Sequence, residues 1–193
     1  IIIVSKDTQK TQYFYDKWAE GQFVAFLFET KDNGQLNREL KDIRSVLLAR
    51  ELNTIKRRYS LKSKKKIEAE LRGKFGVDFI IPDQYQIALN EKKIFWANYD
   101  PLYSDEIINL FVFSFVSQTT NLQSEILYMT DSIFNKYLEG EPKNSFVQIE
   151  KNYPLYFSND MFRGLWRLEG GFMGGPFIIK FRLIEDRVIV SAG

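Results

Sequence analysis

The sequence predicts an α+β fold, in which one or more mainly antiparallel sheets pack amphipathic helices on one face. Aromatic side chains make up 16% of the 193 residues, and aromatic residues favour strands. Strand-like segments follow one another in runs and helical periodicity appears in separate blocks, which is the order typical of α+β proteins. Several connections between strands are short enough for the hairpins of an antiparallel sheet.

The front of the chain predicts two or three strands. Residues 1–5 form a short apolar run, which we interpret as a buried strand. Residues 11–18 alternate loosely between polar and apolar side chains. Residues 22–30 are apolar in both alternating sets, so we expect this strand to lie in the middle of a covered sheet.

Two amphipathic helices are predicted next. Asp32 or Asn33 is a suitable N-cap, and apolar residues then recur every three or four positions until the helix breaks near Ser60. Gly76 is the predicted stop of the second helix. The apolar stripe of the first helix consists of Leu36, Leu40, Ile43, Leu47, Ile55 and Tyr59, and that of the second of Ile67, Leu71 and Phe75.

The remaining sequence predicts strands on both sides of one more helix. Asn121 is the N-cap of that helix, which ends before Gly140. The strands before it are predicted at residues 77–82, 85–90, 93–99 and 107–117, and further strands follow from residue 146. We therefore predict two subdomains: residues 1–76, with the order strand–strand–helix–helix, and residues 77–193, in which a helix separates two β-meanders.

Composition excludes several classes of chemistry. The chain contains no cysteine and no histidine, so it has no disulfide, no thiolate nucleophile and no histidine base or metal ligand. No cofactor or metal site is predicted. No stretch approaches the roughly 18 apolar residues that a membrane helix requires.

A basic run lies between residues 56 and 74, where nine cations face only two carboxylates. The whole chain carries only +2, so the rest of it is net acidic. The run is typical of the solvated face of two helices, and a functional interpretation is contact with an anionic surface. The residues that we expect to make such a contact are Lys62, Lys64, Lys65 and Lys66.

Residues 163–181 contain five glycines between two strand-like segments. The pattern lacks the Lys-Ser or Lys-Thr of a phosphate-binding loop, and its last glycines lead into a strand instead of a helix. We interpret it as a turn whose glycines adopt positive φ. Phe172 and Met173 at its tip either fold back on Trp166 or form an exposed contact.

Carboxylates near turns are the remaining catalytic candidates. They are Asp100, Asp105, Glu106, Glu169, Glu185 and Asp186. No spacing singles out a catalytic pair, and Ser114 and Ser117 have no identifiable base in the sequence. The sequence therefore predicts a protein that is not an enzyme.

The distinctive residues of the chain resemble those of the domain of unknown function 4837 family, which are predicted secreted lipoproteins of Bacteroidetes. The most specific element is RGLW followed by MGGPF, at residues 163–166 and 173–177. Residues 75–88, 93–99, 131–142 and 187–193 add to the resemblance, and weaker similarity extends to the front.

The resemblance implies a location in the cell envelope, as an outer-membrane lipoprotein on the periplasmic or surface side. It also implies that this chain is truncated at both ends, with a lipid anchor upstream. The family has no established activity, so no catalytic residue is transferred, and nucleic acid is not an expected partner.

Two functional hypotheses follow. The first is a non-catalytic component that binds or assembles with other envelope proteins, with Trp166, Phe172 and Met173 as the partner contact and an anionic lipid surface as a further partner. The alternative is a carboxylate-dependent hydrolase of an envelope polymer. A pocket with two carboxylates roughly 5–9.5 Å apart would favour hydrolysis, and an exposed aromatic patch would favour a partner interface.

Overall fold

The computed structural model describes residues 1–6, 10–104, 106–117 and 119–193. It contains three helices and two sheets, and the predicted α+β class is confirmed. The chain divides into two compact units, Ile1–Leu61 and Lys62–Gly193. The sequence placed this division after residue 76. The second helix belongs to the second unit because Leu71 and Phe75 lie in that unit's core.

The first unit is a three-stranded sheet followed by one long helix. Its elements are β1 (Ile2–Ser5), β2 (Gln12–Tyr15), β3 (Phe23–Phe28) and α1 (Asn33–Leu61). The predicted central strand is confirmed, because β3 lies between β1, which is parallel to it, and antiparallel β2. The expectation that the first strand is buried is wrong: β1 is an edge strand on which Ile2 and Val4 are exposed.

Helix α1 begins at a side-chain cap and packs on the sheet through one short region. The Asp32 carboxylate accepts the Gly34 backbone N–H at 2.8 Å, as an N-cap does. Ile43 packs against Phe23, Ala25 and Leu27 in the core of this unit. Much of the predicted apolar stripe is exposed, at Leu40, Leu47, Ile55 and Tyr59, and the neighbouring Leu48 and Leu52 are exposed as well.

The second unit is built around one antiparallel sheet with two helices, α2 (Lys65–Phe75) and α3 (Leu122–Tyr137). Its strands are β4 (Gln86–Asn90), β5 (Ile94–Tyr99), β6 (Ile108–Val116), β7 (Glu139–Gly140), β8 (Ser145–Ile149), β9 (Tyr156–Ser158), β10 (Met161–Glu169), β11 (Gly174–Ile184) and β12 (Arg187–Ala192). The order is β4-β5-β6-β12-β11-β10-β8-β7, and β9 also pairs with β10. Strand β6 is central, as its two apolar faces predicted.

The two helices of this unit pack on opposite faces of the sheet. We call the α3 side the front face, where Ile126 and Phe134 pack with Phe111 and Phe177. On the back face, Leu71 and Phe75 of α2 pack with side chains from β5, β6 and β12: Phe95, Ala97, Val112 and Ile189. Because neighbouring residues of a strand point to opposite faces, the alternation along β6 serves both cores. The sequence had predicted helices on one face only.

Residues 77–82 are not the strand that the sequence predicted. Their backbone groups bond to the start of α2: the Lys64 N–H donates to the Ile81 carbonyl at 2.8 Å, and the Ile81 N–H donates to the Glu68 carboxylate at 3.0 Å. Ile81 is nevertheless fully buried in the core beneath α2. The apolar run therefore reflects burial of an irregular segment and not a strand ladder.

The predicted end of α2 and the predicted start of α3 are confirmed, whereas α3 ends at Tyr137, before the predicted stop at Gly140. Gly76 ends α2 in the left-handed conformation, with φ 68°. The Asn121 side chain caps α3 by accepting the Ser124 N–H at 3.2 Å. Within the described ranges, no helix has the length and apolar character needed to cross a membrane.

Candidate partner-contact site

The glycine-containing segment forms a long hairpin between β10 and β11. The two strands pair without a break from Met161 opposite Lys180 to Arg167 opposite Gly174. Pro176 is tolerated in β11 at a position that pairs with Leu165 of β10. The interpretation of this segment as a turn leading into a strand is confirmed.

Two glycines of the hairpin make room for aromatic rings on the front face. Gly164 lies opposite Phe177, and a Cβ on Gly164 would lie 2.8 Å from the Phe177 ring. Gly175 lies opposite Trp166, and a Cβ there would lie 3.0 Å from the indole nitrogen. Each strand thus contributes one ring that packs on the other strand's glycine, an arrangement that holds two adjacent strands in register.

The tip of the hairpin is closed by backbone hydrogen bonds. The Leu168 N–H donates to the Met173 carbonyl at 2.8 Å, and the Gly171 N–H donates to the Leu168 carbonyl at 3.3 Å. Gly170 adopts a φ of 79°, which disfavours any residue with a side chain. The other glycines of the segment do not adopt positive φ, so the expectation of several such residues is wrong, and close packing explains Gly164 and Gly175.

The three residues predicted as a partner contact differ in exposure. Trp166 is half-buried on the front face, where it packs against the core. Phe172 is fully exposed, and Met173 retains 53% of its accessible surface. Only Phe172 and Met173 are therefore presented together at the tip.

The four predicted surface lysines lie at and before the start of α2. Lys62 and Lys66 are exposed, and Lys64 immediately precedes the helix. Lys65 forms an ion pair with Glu68 at 3.2 Å, so its charge is partly neutralised. Contact with an anionic surface stays a prediction for these residues.

Glu68 has a structural position at the start of α2. Burial raises the pKa of its carboxyl, but the neighbouring Ser63 hydroxyl, the Ile81 backbone N–H and Lys65 outweigh burial and lower the pKa below its ordinary value. The carboxylate therefore stays ionised and stabilises both the first turn of α2 and the irregular segment at Ile81.

Among the candidate carboxylates, Glu169 is held in an ion pair with Arg167. Glu150 and Glu169 approach the same guanidinium, that of Arg167, at 3.3 and 2.7 Å, and Gln148 also contacts Glu169. Asp105 lies outside the described residues. In the part of the chain that the structure describes, no three acidic side chains form a group suited to a metal ion.

Ser117 has a carboxylate partner that the sequence did not reveal. Its hydroxyl donates to Glu125 at 2.6 Å. Glu125 lies in the first turn of α3, where a negative charge is favourable. The pair links the end of β6 to the start of this helix.

A surface that sequence reasoning missed lies on the back face of β9, β10 and β11. We call it the back-face patch and define it by Tyr156, Arg163, Leu165, Pro176, Ile178 and Lys180. Their neighbours along the strands, Phe162, Phe177 and Ile179, are buried in the front-face core, so the patch residues point the other way. Burial alternates along β10 and β11, but the residue types at 161–167 and 176–182 do not alternate strictly between polar and apolar, so the sequence carried no clear signal for the patch.

The second unit matches a known protein family. Residues 63–193, more than half of the chain, match the family described as Domain of unknown function (DUF4837). The chain belongs to this family. The DUF4837 match begins at Ser63 and thus covers nearly the whole second unit, including the hairpin and the back-face patch. Neither the curated proteins nor the solved structures include a match to the chain.

Proposed function

We propose that the protein is a non-catalytic component of the cell envelope that assembles with other envelope proteins, and that Phe172 and Met173 contact a partner. The envelope location and the lipid anchor belong to the same proposal and derive from the resemblance of the sequence to lipoproteins. The DUF4837 description names no activity, so the proposal depends on the hairpin tip.

The observation that supports it is the full exposure of Phe172 on a well-anchored support. Phe172 and Met173 extend beyond the pairs that fix the hairpin. A large aromatic residue held at a defined position is the type of side chain that dominates binding energy at interfaces. Its burial in a partner would also remove the cost of leaving an apolar ring in water.

The arrangement of carboxylates favours binding over hydrolysis of a polymer. A general acid must be free to reach its substrate. The guanidinium of Arg167 contacts both Glu150 and Glu169, so these two carboxylates are already held in ion pairs within the sheet. These groups are thus suited to stabilising the strands around them.

The proposal is tested by affinity purification of the tagged protein from solubilised envelopes of its native cells. The double variant Phe172→Ala, Met173→Ala is expected to recover at least about tenfold less of the co-purifying protein. Its thermal unfolding should be unchanged, because neither side chain is buried.

The matched control is Leu102→Ala, Tyr103→Ala, since these two side chains are 92% and 99% exposed in the same unit. The control should retain its co-purifying protein. Equal recovery by the tip variant and the wild type would contradict the tip as a contact, and polymer hydrolysis by the purified protein would contradict a non-catalytic role.

A further inference from the structure

The back face of the larger sheet is covered in one half and open in the other. Helix α2 covers β5, β6 and β12 through Leu71 and Phe75. On β10 and β11 of the same face, Leu165 and Ile178 remain 39% and 49% exposed. The helix layer on this face is therefore incomplete over the back-face patch.

The patch has apolar side chains at its centre. Leu165 lies directly opposite Pro176, and Ile178 is the next residue of β11 on this face. Ile178 also lines a shallow groove of about 260 Å³, which Tyr85, Ile108 and Leu110 line as well. The apolar surface thus continues from β10 across β11 to the start of β6.

In the described part of the chain, unpaired cations lie at the Ile178 end of this apolar strip. Arg163 lies directly opposite Ile178, and Lys180 and Arg182 follow Ile178 on the same face of β11. All three are exposed, and among the described residues none of them forms an ion pair or a side-chain hydrogen bond. Glu150, whose backbone N–H bonds to the Leu165 carbonyl, and Glu169 are both already paired with Arg167. The open half of the face therefore carries uncompensated positive charge.

We propose that the back-face patch binds an acidic amphipathic helix of a partner protein. The apolar side of such a helix would cover Leu165, Pro176 and Ile178. Its carboxylates would pair with Arg163 and Lys180 at the edges, and arginine can bind a carboxylate through two parallel hydrogen bonds. The helix would extend the layer that α2 begins on the same face.

Two other occupants fit the patch less well. A bilayer surface presents anionic groups but is flat on this scale, so it leaves the concave groove at Ile178 unfilled. A second copy of this chain would bring the same cations face to face, because a twofold interface places identical patches against each other. Opposite charge in the occupant satisfies both the cations and the apolar strip.

The test uses the intact 193-residue chain and a fluorescein-labelled synthetic peptide. The peptide has 16 to 20 residues, with Leu every three or four positions and Glu on the other positions, and a scrambled peptide of equal composition serves as its control. Fluorescence anisotropy should show binding of the amphipathic peptide and at least about tenfold weaker binding of the scrambled one. Higher salt should weaken the binding, as expected for screened charges.

Charge-reversal variants locate the contact. Arg163→Glu, Lys180→Glu should raise the peptide Kd at least about tenfold. Lys62→Glu, Lys66→Glu makes the same change of net charge at exposed lysines elsewhere in the unit and should raise it less than about threefold. The milder pair Arg163→Gln, Lys180→Gln serves if the reversal impairs folding, and Phe172→Ala, Met173→Ala should leave peptide binding unchanged.

Three results would overturn the proposal. The first is equal binding of both peptides, or an equal loss in both charge-reversal variants, since either would indicate unspecific attraction. The second is binding to phosphatidylglycerol vesicles, but not to the peptide, that depends on Arg163 and Lys180. The third is a concentration-dependent dimer in light scattering that Ile178→Asp abolishes.

Discussion

Gly164 shows how a single missing side chain shapes the candidate site. Its Cα lies under the ring of Phe177, and an added Cβ would also meet the Leu155 side chain. Phe177 in turn is buried in the front-face core with Phe134 of α3. The position therefore couples the register of the hairpin to the packing of a helix, and it does so without any unusual backbone conformation.

Gly164→Ala is expected to destabilise the protein by about 1–3 kcal/mol, the usual cost of overpacking a well-packed core. Urea unfolding followed by tryptophan fluorescence measures the change. Gly73→Ala is the control of opposite sign: it lies within α2, a Cβ there would meet nothing within 4 Å, and alanine in a helix is favoured by about 0.5–1 kcal/mol. If Gly164→Ala left the free energy of unfolding unchanged, the Phe177 ring could shift to accept the added methyl group without cost.

At the scale of single residues, the sequence predicted the residues that cap helices. It missed the residues whose side chains pack across two paired strands. The caps at Asp32, Asn121 and Gly76 were predictable because each bonds to a backbone group only two to four residues away in the sequence. The packing of Trp166 on Gly175 depends on a register that the residue pattern does not specify. The sequence therefore left open whether Trp166 belongs to the core or to the contact.

At the scale of elements, the start of α2 shows how a helix can organise a segment that has no secondary structure. Glu68 accepts the Ile81 N–H and pairs with Lys65, so one carboxylate satisfies a buried segment's backbone and a helix's first turn. Because Ile81 is fully buried beneath α2, loss of this carboxylate would leave its N–H without its acceptor.

Glu68→Gln is expected to lower the free energy of unfolding by about 1–2 kcal/mol at pH 7, the scale of a hydrogen bond to a charged group. The folded-state pKa of Glu68 is lowered, so its contribution is complete above the unfolded pKa of about 4.3. It is lost as the pH falls through the lower folded pKa. The difference between variant and wild type should therefore shrink on acidification.

Chemical denaturation at several pH values measures this difference. Glu70→Gln is the control on the same helix, where the carboxylate accepts one hydrogen bond from the exposed Asn90 side chain, and it should cost less at pH 7. A Glu68→Gln difference that grows towards pH 3 would contradict the assignment of the lowered pKa.

Helices and strands were predicted correctly where a pattern of apolar residues repeats over many positions. The prediction failed where apolar residues are buried without belonging to a helix or strand. Helix α3 and the central strand β6 were correct because many residues repeat the same pattern. Residues 77–82 have the composition of a strand, yet their backbone partners belong to a helix terminus. The exposed later turns of α1 are a related case: an apolar stripe predicts a buried face, but residue spacing does not show what would cover it.

At the scale of the whole molecule, the sequence predicted the fold class but not the distribution of helices over the sheet. Both cores of the second unit depend on alternating residues of the same strands, as at Phe111 and Val112 of β6. Such a strand reads as uniformly apolar, which indicates two covered faces but does not identify the helix on each. The back-face patch was missed because the sequence does not show which strands a helix covers, and the patch lies on strands that α2 does not cover.

The packing of α2 leads to a prediction about where the chain can be divided. Every buried residue of the two cores in the second unit lies within Lys62–Gly193, so we expect residues 62–193 alone to unfold cooperatively and to show a native near-UV circular dichroism spectrum. Residues 77–193 lack Leu71 and Phe75 and should expose Phe95 and Ile189, which predicts dye binding to apolar surface and loss of the cooperative transition. Equal stability of the two fragments would mean that α2 is dispensable for the back-face core, and a non-cooperative 62–193 would mean that this unit needs residues 1–61.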